Sequence, residues 1–255
     1  MKHPKVMDHG APCGATPRVA EAGRSAGSSP GANRQQPMRS REGRAWHVAL
    51  GIAASRIAGF ARDVVLAYFL GSSRFADLWY LGLRTPNVIQ NLLGEGTLSS
   101  SFIPVYSRML AEGRRADAAR LAGASLGLVA VIAFGLALLG SACAGWIVEL
   151  AYPRLDVASG ELLVRMLRVL FPMTAVLVVS AWALGILNSH GRHLVSYSAP
   201  ILWNVAILGA AGLGSGALGT VGLEQGGARF VVWLTWGALA GSLAQTLVQV
   251  PWILR

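Results

Sequence analysis

Three long stretches of this chain, residues 121–148, 194–223 and 230–254, contain no Asp, Glu, Lys or Arg. Each exceeds the roughly 20 residues that a helix needs to cross about 30 Å of hydrocarbon. A buried helix of a large soluble protein can look the same. However, a chain of 255 residues with 53% hydrophobic and only 13% charged residues has little soluble protein in which to bury several of them. The sequence therefore predicts an all-α fold, a polytopic integral membrane helix bundle.

The formal net charge of +10 raises the question of nucleic acid, and the placement of the charge answers it. Lys2, Lys5, Arg18, Arg24, Arg34, Arg39, Arg41 and Arg44 precede the first apolar run. Arg108, Arg114, Arg115 and Arg120 lie between the second and third, Arg192 follows the fourth, and Arg255 follows the last. Fewer, among them Arg74 and Arg154, fall in the alternate connections. This is the positive-inside pattern of a multi-pass chain with a cytoplasmic N-terminus and an even number of crossings. No basic cluster is interleaved with exposed aromatics, so no nucleic-acid partner is expected.

Residues 1–43 are rich in Gly, Pro, Ser, Ala and Arg without apolar periodicity, and read as a disordered basic cytoplasmic tail or a misassigned start. They lack the apolar centre and small-residue cleavage site of a secretory signal. Residues 44–255 form the membrane domain. Cys13 falls in the tail and Cys143 in the third span, a spacing that predicts neither a disulfide nor a metal site. No cofactor is expected.

Six spans are predicted, near residues 46–70, 77–107, 121–147, 162–188, 197–213 and 230–254. The second is too long for one straight crossing. Pro86, Gly94-Glu95-Gly96 and Pro104 would interrupt its hydrogen-bond ladder. Two crossings there would put Arg108 to Arg120 outside, so it reads as one broken helix, which a membrane tolerates where it lines a cavity.

Charges inside such spans are costly and usually functional. Helical periodicity puts Arg56 and Asp63 on one face of the first span, with Gly59 between them offering close approach, and turns Arg62 away by roughly a third of a turn. On the second span Asp77, Arg84 and Asn91 share a stripe, with Asn87 and Glu95 one turn from its inner members. Both stripes should avoid lipid and face a hydrated cavity, where arginine suits phosphate by planar, bidentate binding. The competing reading is structural: Arg56 with Asp63, or Asp77 with Arg84, pair only to fix packing, or snorkel to water. Arg165 and Arg168 anchor the fourth span at the interface. His190 and His193 read as solvated turn residues, and Trp46, Trp146 and Trp252 as interfacial anchors.

The string Ser55-Arg56-Ile57-Ala58-Gly59-Phe60-Ala61-Arg62-Asp63, then Gly71, Asp77, Pro86-Asn87, Glu95-Gly96 and Phe102-Ile103-Pro104, resembles the opening of the MurJ/MviN lipid II flippase family. The likeness continues through Leu167-Arg168, Phe171-Pro172, Gly185-Ile186-Leu187-Asn188, Arg192, Pro200 and Asn204. The resemblance implies a bacterial inner-membrane transporter of the multidrug/oligosaccharidyl-lipid/polysaccharide exporter superfamily. Its guest would be the undecaprenyl-pyrophosphate-linked peptidoglycan precursor, moved from the cytoplasmic to the periplasmic leaflet by alternating access. It further implies that Arg56 and Arg62 recognise the pyrophosphate headgroup, that Asp77 lies near the periplasmic mouth, and that Glu95 is the acid in the broken second helix. Arg84 stands where the family often has a cation. Where the family usually carries Arg shortly after Pro-Asn, this chain has Gln90-Asn91. The anion site is then weaker unless Arg84 compensates.

The family has two six-helix lobes and further helices, whereas 44–255 corresponds to the N-terminal lobe. The resemblance thus implies a missing C-terminal lobe or a partner subunit, besides membrane lipids, to complete the cavity. Alternatives are half of a related polysaccharide or drug exporter, or a non-transporting, lipid-binding assembly subunit. A membrane enzyme is disfavoured, because the carboxylates are isolated and no nucleophile or metal-binding cluster accompanies the histidines.

Overall fold

A bundle in lipid gains little from burying apolar surface, so its helices must be held by close packing and interhelical hydrogen bonds. The computed structural model describes residues 38–93 and 101–253. Every element among these is helical: α1 (Met38–Leu70), α2 (Arg74–Gln90), α3 (Ile103–Ala111), α4 (Arg115–Ala142), α5 (Ala144–Ala151), α6 (Val157–Ser189) and α7 (His193–Ile253). Residues 1–37 of the expected tail, Cys13 and Glu95 lie outside the described residues.

Among the described residues, four segments are long and apolar enough to cross a membrane: Arg115–Ala142, Val157–Ser189, Leu194–Gly216 and Gln225–Ile253. The last two are arms of α7, which turns at Gly222 with φ 72°, a left-handed geometry suited to glycine. Of the six expected spans, the other two are the charged α1 and the second, whose expected break at residues 94–96 lies outside the described residues. α1 starts at Met38, earlier than the expected boundary. The second helix winds through Pro86 to Gln90, and α3 resumes with Pro104 in its first turn. That proline lacks only an N–H that would have been unpaired there.

Pairs of contacts fix the directions. Gly51 sits against Tyr197 and Arg62 against Asn204, so α1 runs parallel to the first arm of α7. The indole of Trp182 donates to Ser125 Oγ at 3.0 Å, and Gly140 abuts Phe171, so α4 is antiparallel to α6. Within α7, Gly237 meets Ala210 and Gly241 meets Ala206, which makes its arms an antiparallel hairpin. Trp203 Nε1 donates to the Ala238 carbonyl at 3.1 Å across it. These crossings alternate as a multi-pass chain requires.

α6 is the central post, packed against α2, α3, α4, α5 and α7. Its Leu163, Leu167, Leu170 and Val178 are fully buried. Small residues let neighbours approach it: a Cβ on Gly82 of α2 would lie 3.1 Å from Leu170, and one on Gly140 of α4 would lie 2.5 Å from the Phe171 ring. Ser180 accepts from Gln245 Nε2 at 2.7 Å and Gln249 Nε2 at 2.9 Å, binding α6 to the second arm of α7. α6 starts at the N-cap Asp156, whose carboxylate accepts from the Ser159 N–H at 3.1 Å.

Candidate functional site

Some of the polar residues of α1 and α2 gather where these helices meet α6 and the first arm of α7. Pro200 lies one helical turn before Asn204 in α7, and the side-chain amide of Asn204 donates to its carbonyl at 3.1 Å. With Nδ2 committed, Oδ1 is left to accept from Arg62 Nη1 at 3.0 Å. Arg62 Nε and Nη2 donate to Asp63 Oδ1 at 3.1 and 2.8 Å, and its guanidinium lies 5.1 Å from the centre of the Trp203 ring. A guanidinium has five N–H donors. These bonds use three, leaving one on each terminal nitrogen. Arg62 is thus held in place yet still able to donate.

Arg62 and Asp63 line a cavity of about 560 Å³ with Tyr80, Arg84, Asn87 and Gln90 of α2 and Thr174 of α6. A second cavity of about 490 Å³ shares Asn87, Gln90, Leu177 and Trp203 with the first and reaches Asn188 and Gln245. Together they form a cleft whose charged lining is Arg62, Arg84 and Asp63. Asp63 is bound to Arg62. Arg84 is exposed, makes no ion pair among the described residues, and gives the cleft a net positive charge. Such a lining favours an anion carrying several acceptor oxygens.

The structure sorts the residues expected from sequence. It brings together Arg62, Asp63, Arg84, Asn87 and Gln90. It leaves Arg56, Asp77 and Asn91 exposed and outside these cavities. Neither Arg56 with Asp63 nor Asp77 with Arg84 forms an ion pair. The expected stripe of Asp77, Arg84 and Asn91 is corrected by rotation: the cleft takes the face of Tyr80, Arg84, Asn87 and Gln90, roughly 60° around the helix. The close approach expected at Gly59 is not made, since a Cβ there would meet nothing within 4 Å. It occurs at Gly51 instead, where a Cβ would lie 2.9 Å from Tyr197 Cβ. On α1 the inward cation is Arg62, because Asn204 and Trp203 stand opposite it.

Trp203, Thr174 and Gln245 were not legible as site residues. Thr174 donates to the Leu170 carbonyl at 2.9 Å, so its polarity is satisfied within its own helix. Asn204 did carry a signal, as the sole Asn of an uncharged apolar run. His190, expected as a solvated turn residue, is exposed but its Nε2 is 2.9 Å from the Tyr106 hydroxyl. Ser107 Oγ donates to Ser189 Oγ at 3.1 Å beside it, tying α3 to the end of α6.

Apolar helices of alternating direction around a net cationic cleft define a polytopic helical membrane protein. The chain belongs to the lipid II flippase MurJ family, whose model matches residues 66–255. It is 30% identical over 200 residues to the lipid II flippase MurJ of Burkholderia cenocepacia, covering 77% of this chain and 37% of that protein. The probable lipid II flippase MurJ of Bdellovibrio bacteriovorus is 34% identical over 208 residues, 80% of this chain and 38% of its own. That of Vibrio cholerae is 30% identical over 210 residues, 79% and 38% respectively. The chain therefore spans under two fifths of the length of these relatives. Arg56, Arg62 and Asp63 precede the segment matched by the family model.

Proposed function

We propose that residues 44–255 are the N-terminal lobe of a lipid II flippase of the bacterial inner membrane, with its N-terminus in the cytoplasm. The lobe binds and moves its guest without transforming it. Membership of the flippase family supports this reading, and the observation that carries it is the cationic cleft. Arg62 is held by Asn204 and Asp63 with two donors to spare, and Arg84 lines the same cavity uncompensated.

In this reading the pyrophosphate of the undecaprenyl-linked peptidoglycan precursor is received by Arg62 and Arg84. Asn87 and Gln90 contact the rest of the headgroup, and Glu95 contributes from the break in the second helix. Asp63 orients Arg62. Arg56, Asp77, Asn91 and Gly59 act outside the cleft, in gating or in contact with the opposite lobe. The polyprenyl tail stays in the bilayer. A C-terminal lobe or partner subunit supplies the second wall, and rocking of the two halves exposes the headgroup to each leaflet in turn.

Two arginines with different surroundings give a test. Arg84→Ala should weaken binding of the polyprenyl-pyrophosphate glycolipid by about tenfold, the scale of one charge-assisted hydrogen bond, without lowering thermal stability. Arg62→Ala should weaken binding similarly and also lower the melting temperature, because it strands Asn204 and Asp63. Parent-like binding by both variants would remove the headgroup site. Joined to a family C-terminal half, the chain should rescue cells depleted of their own flippase. Failure despite confirmed insertion would favour a lipid-binding assembly subunit, a reading to which the uncharged Gln90 in the cleft lends support.

A further inference from the structure

A second groove lies on the outside of the bundle, where α6 and the second arm of α7 begin. It encloses about 620 Å³ and is lined by Leu162, Arg165, Arg229, Val232, Trp233 and Trp236, among others. It shares no lining residue with the cleft. Gln225, Arg229, Val232 and Trp236 follow intervals of four, three and four residues, so one face of α7 forms its wall.

The charge of the groove is one-sided. A neighbouring cavity of about 700 Å³ on the same turns of α6 sets Glu149, Asp156 and Glu161 against Arg165 and Arg168. Among the described residues, the groove lining has Arg165 and Arg229 and no carboxylate. Arg229 has no hydrogen-bond or ion-pair partner among the described residues. Arg165 reaches Glu161 at 3.6 Å, with both side chains more than 60% exposed, a pairing worth little.

Depth orders the groove. Arg229 lies four residues into the 29-residue Gln225–Ile253 span, which at about 44 Å outruns roughly 30 Å of hydrocarbon and leaves its first turn at the level of headgroups. Trp233 and Trp236 follow one and two turns further, about 6 and 10 Å deeper, and are each about half exposed. α6, with 33 residues, is about 50 Å long and outruns the hydrocarbon at both ends. Arg165, eight residues in, therefore sits near the headgroup boundary. Guanidinium, indole and aliphatic side chain thus succeed one another as phosphate, ester and acyl chain do in a lipid leaflet.

We propose that this groove is a binding site for an anionic phospholipid of the surrounding bilayer. Arg165 and Arg229 hold its phosphate, and one acyl chain lies along Leu162, Val232 and the two indoles. A zwitterionic lipid gains less, because no carboxylate among the described lining residues faces its ammonium and Glu161 beside the groove is engaged by Arg165.

The chain, reconstituted in phosphatidylcholine vesicles, is titrated with phosphatidylglycerol or phosphatidylcholine brominated on the acyl chain. Quenching at the groove is read as the difference between the parent and Trp233→Phe/Trp236→Phe. Brominated phosphatidylglycerol should quench at a lower mole fraction than brominated phosphatidylcholine, by about fivefold for each arginine. Arg165→Gln and Arg229→Gln should each remove about that factor, and the double Lys variant should keep most of it. Equal quenching of the parent by both lipids overturns the proposal and needs no variant to fold. So does an unchanged preference in the double Gln variant with parent-like circular dichroism, which leaves two interfacial anchors. Absence of quenching by either lipid, with cross-linking between copies through Trp236→Cys, would show instead a protein-covered face.

Discussion

α4 and α6 are both long, apolar and able to span a bilayer, and by composition they are nearly interchangeable. In the folded bundle they are opposites: 61% of the most apolar stretch of α6 is buried in protein, against 11% for α4. α4 touches its neighbours through Ala133, Ala137 and Gly140, while Leu128, Val131, Leu138 and Leu139 face outward. α6 buries Leu163, Met166, Leu167, Leu170 and Phe171 in succession. Lipid is as good a solvent for leucine as a protein core is, so composition alone does not say which helix is the post and which the outer wall. Small residues mark the contact face of α4, because close backbone approach, and not apolar area, holds membrane helices together.

The sharpest way to break this contrast is a matched pair. Leu170→Ala on α6 should cost about 2 kcal/mol through the cavity it leaves, the low end for such a change because the unfolded helix is itself in lipid. Leu138→Ala on α4 should change stability by less than about 0.5 kcal/mol. Melting temperatures in one detergent decide it, and equal losses would mean that both helices are packed alike. A slightly smaller effect is expected where the two helices touch. Gly140→Val on α4 should cost about 1–2 kcal/mol, because the new Cβ would lie 2.5 Å from the Phe171 ring. A neutral result would show that α4 slides freely against α6.

The smallest effect concerns how the helices begin. α6 is capped by Asp156, whereas α4 starts at Arg114 with no side-chain cap. Hydrogen bonding by the side chain and backbone of Ser159 holds the Asp156 carboxyl below its ordinary value. A carboxyl lowered in the folded state contributes stability that is fully present above its unfolded value and lost as pH falls through its folded value. Asp156→Ala should therefore melt slightly earlier than the parent at neutral pH, and the gap should close as the solution is acidified below the usual carboxylate range. A constant gap down to strong acid would assign the loss to something other than the charged cap.

Much of the site was legible because charge inside an apolar run stands out, as Arg62, Asp63 and Arg84 do. Which face of each helix turned inward was not. Arg56 and Arg62 are equal candidates by type, and only the positions of Asn204 and Trp203 across the cleft make Arg62 the inward one. On α2 the seven-residue stripe singled out Asp77 and Asn91, while burial of Phe75, Leu78, Trp79 and Gly82, the last against Leu170 and Met166 of α6, turned Asn87 and Gln90 to the cleft. The closest approach to α1 moved from Gly59 to Gly51 for a related reason: it falls where a neighbour arrives, and Tyr197 arrives there.

The sequence by itself determined the medium, four of the apolar segments with their alternation, and the family. These follow from run length, charge placement and Pro/Gly punctuation, which act locally along the chain. Only the tertiary structure decided that α6 is the central post, that Arg62 shares one cavity with Arg84, and that Arg165 and Arg229 meet beside two tryptophans on the outer wall. In a bilayer every helix is apolar on most sides, so hydrophobic periodicity, which orients helices in water, carries little information about rotation. Rotation is set by shape at the few places where a small residue, an amide or a hydroxyl lets another backbone come close.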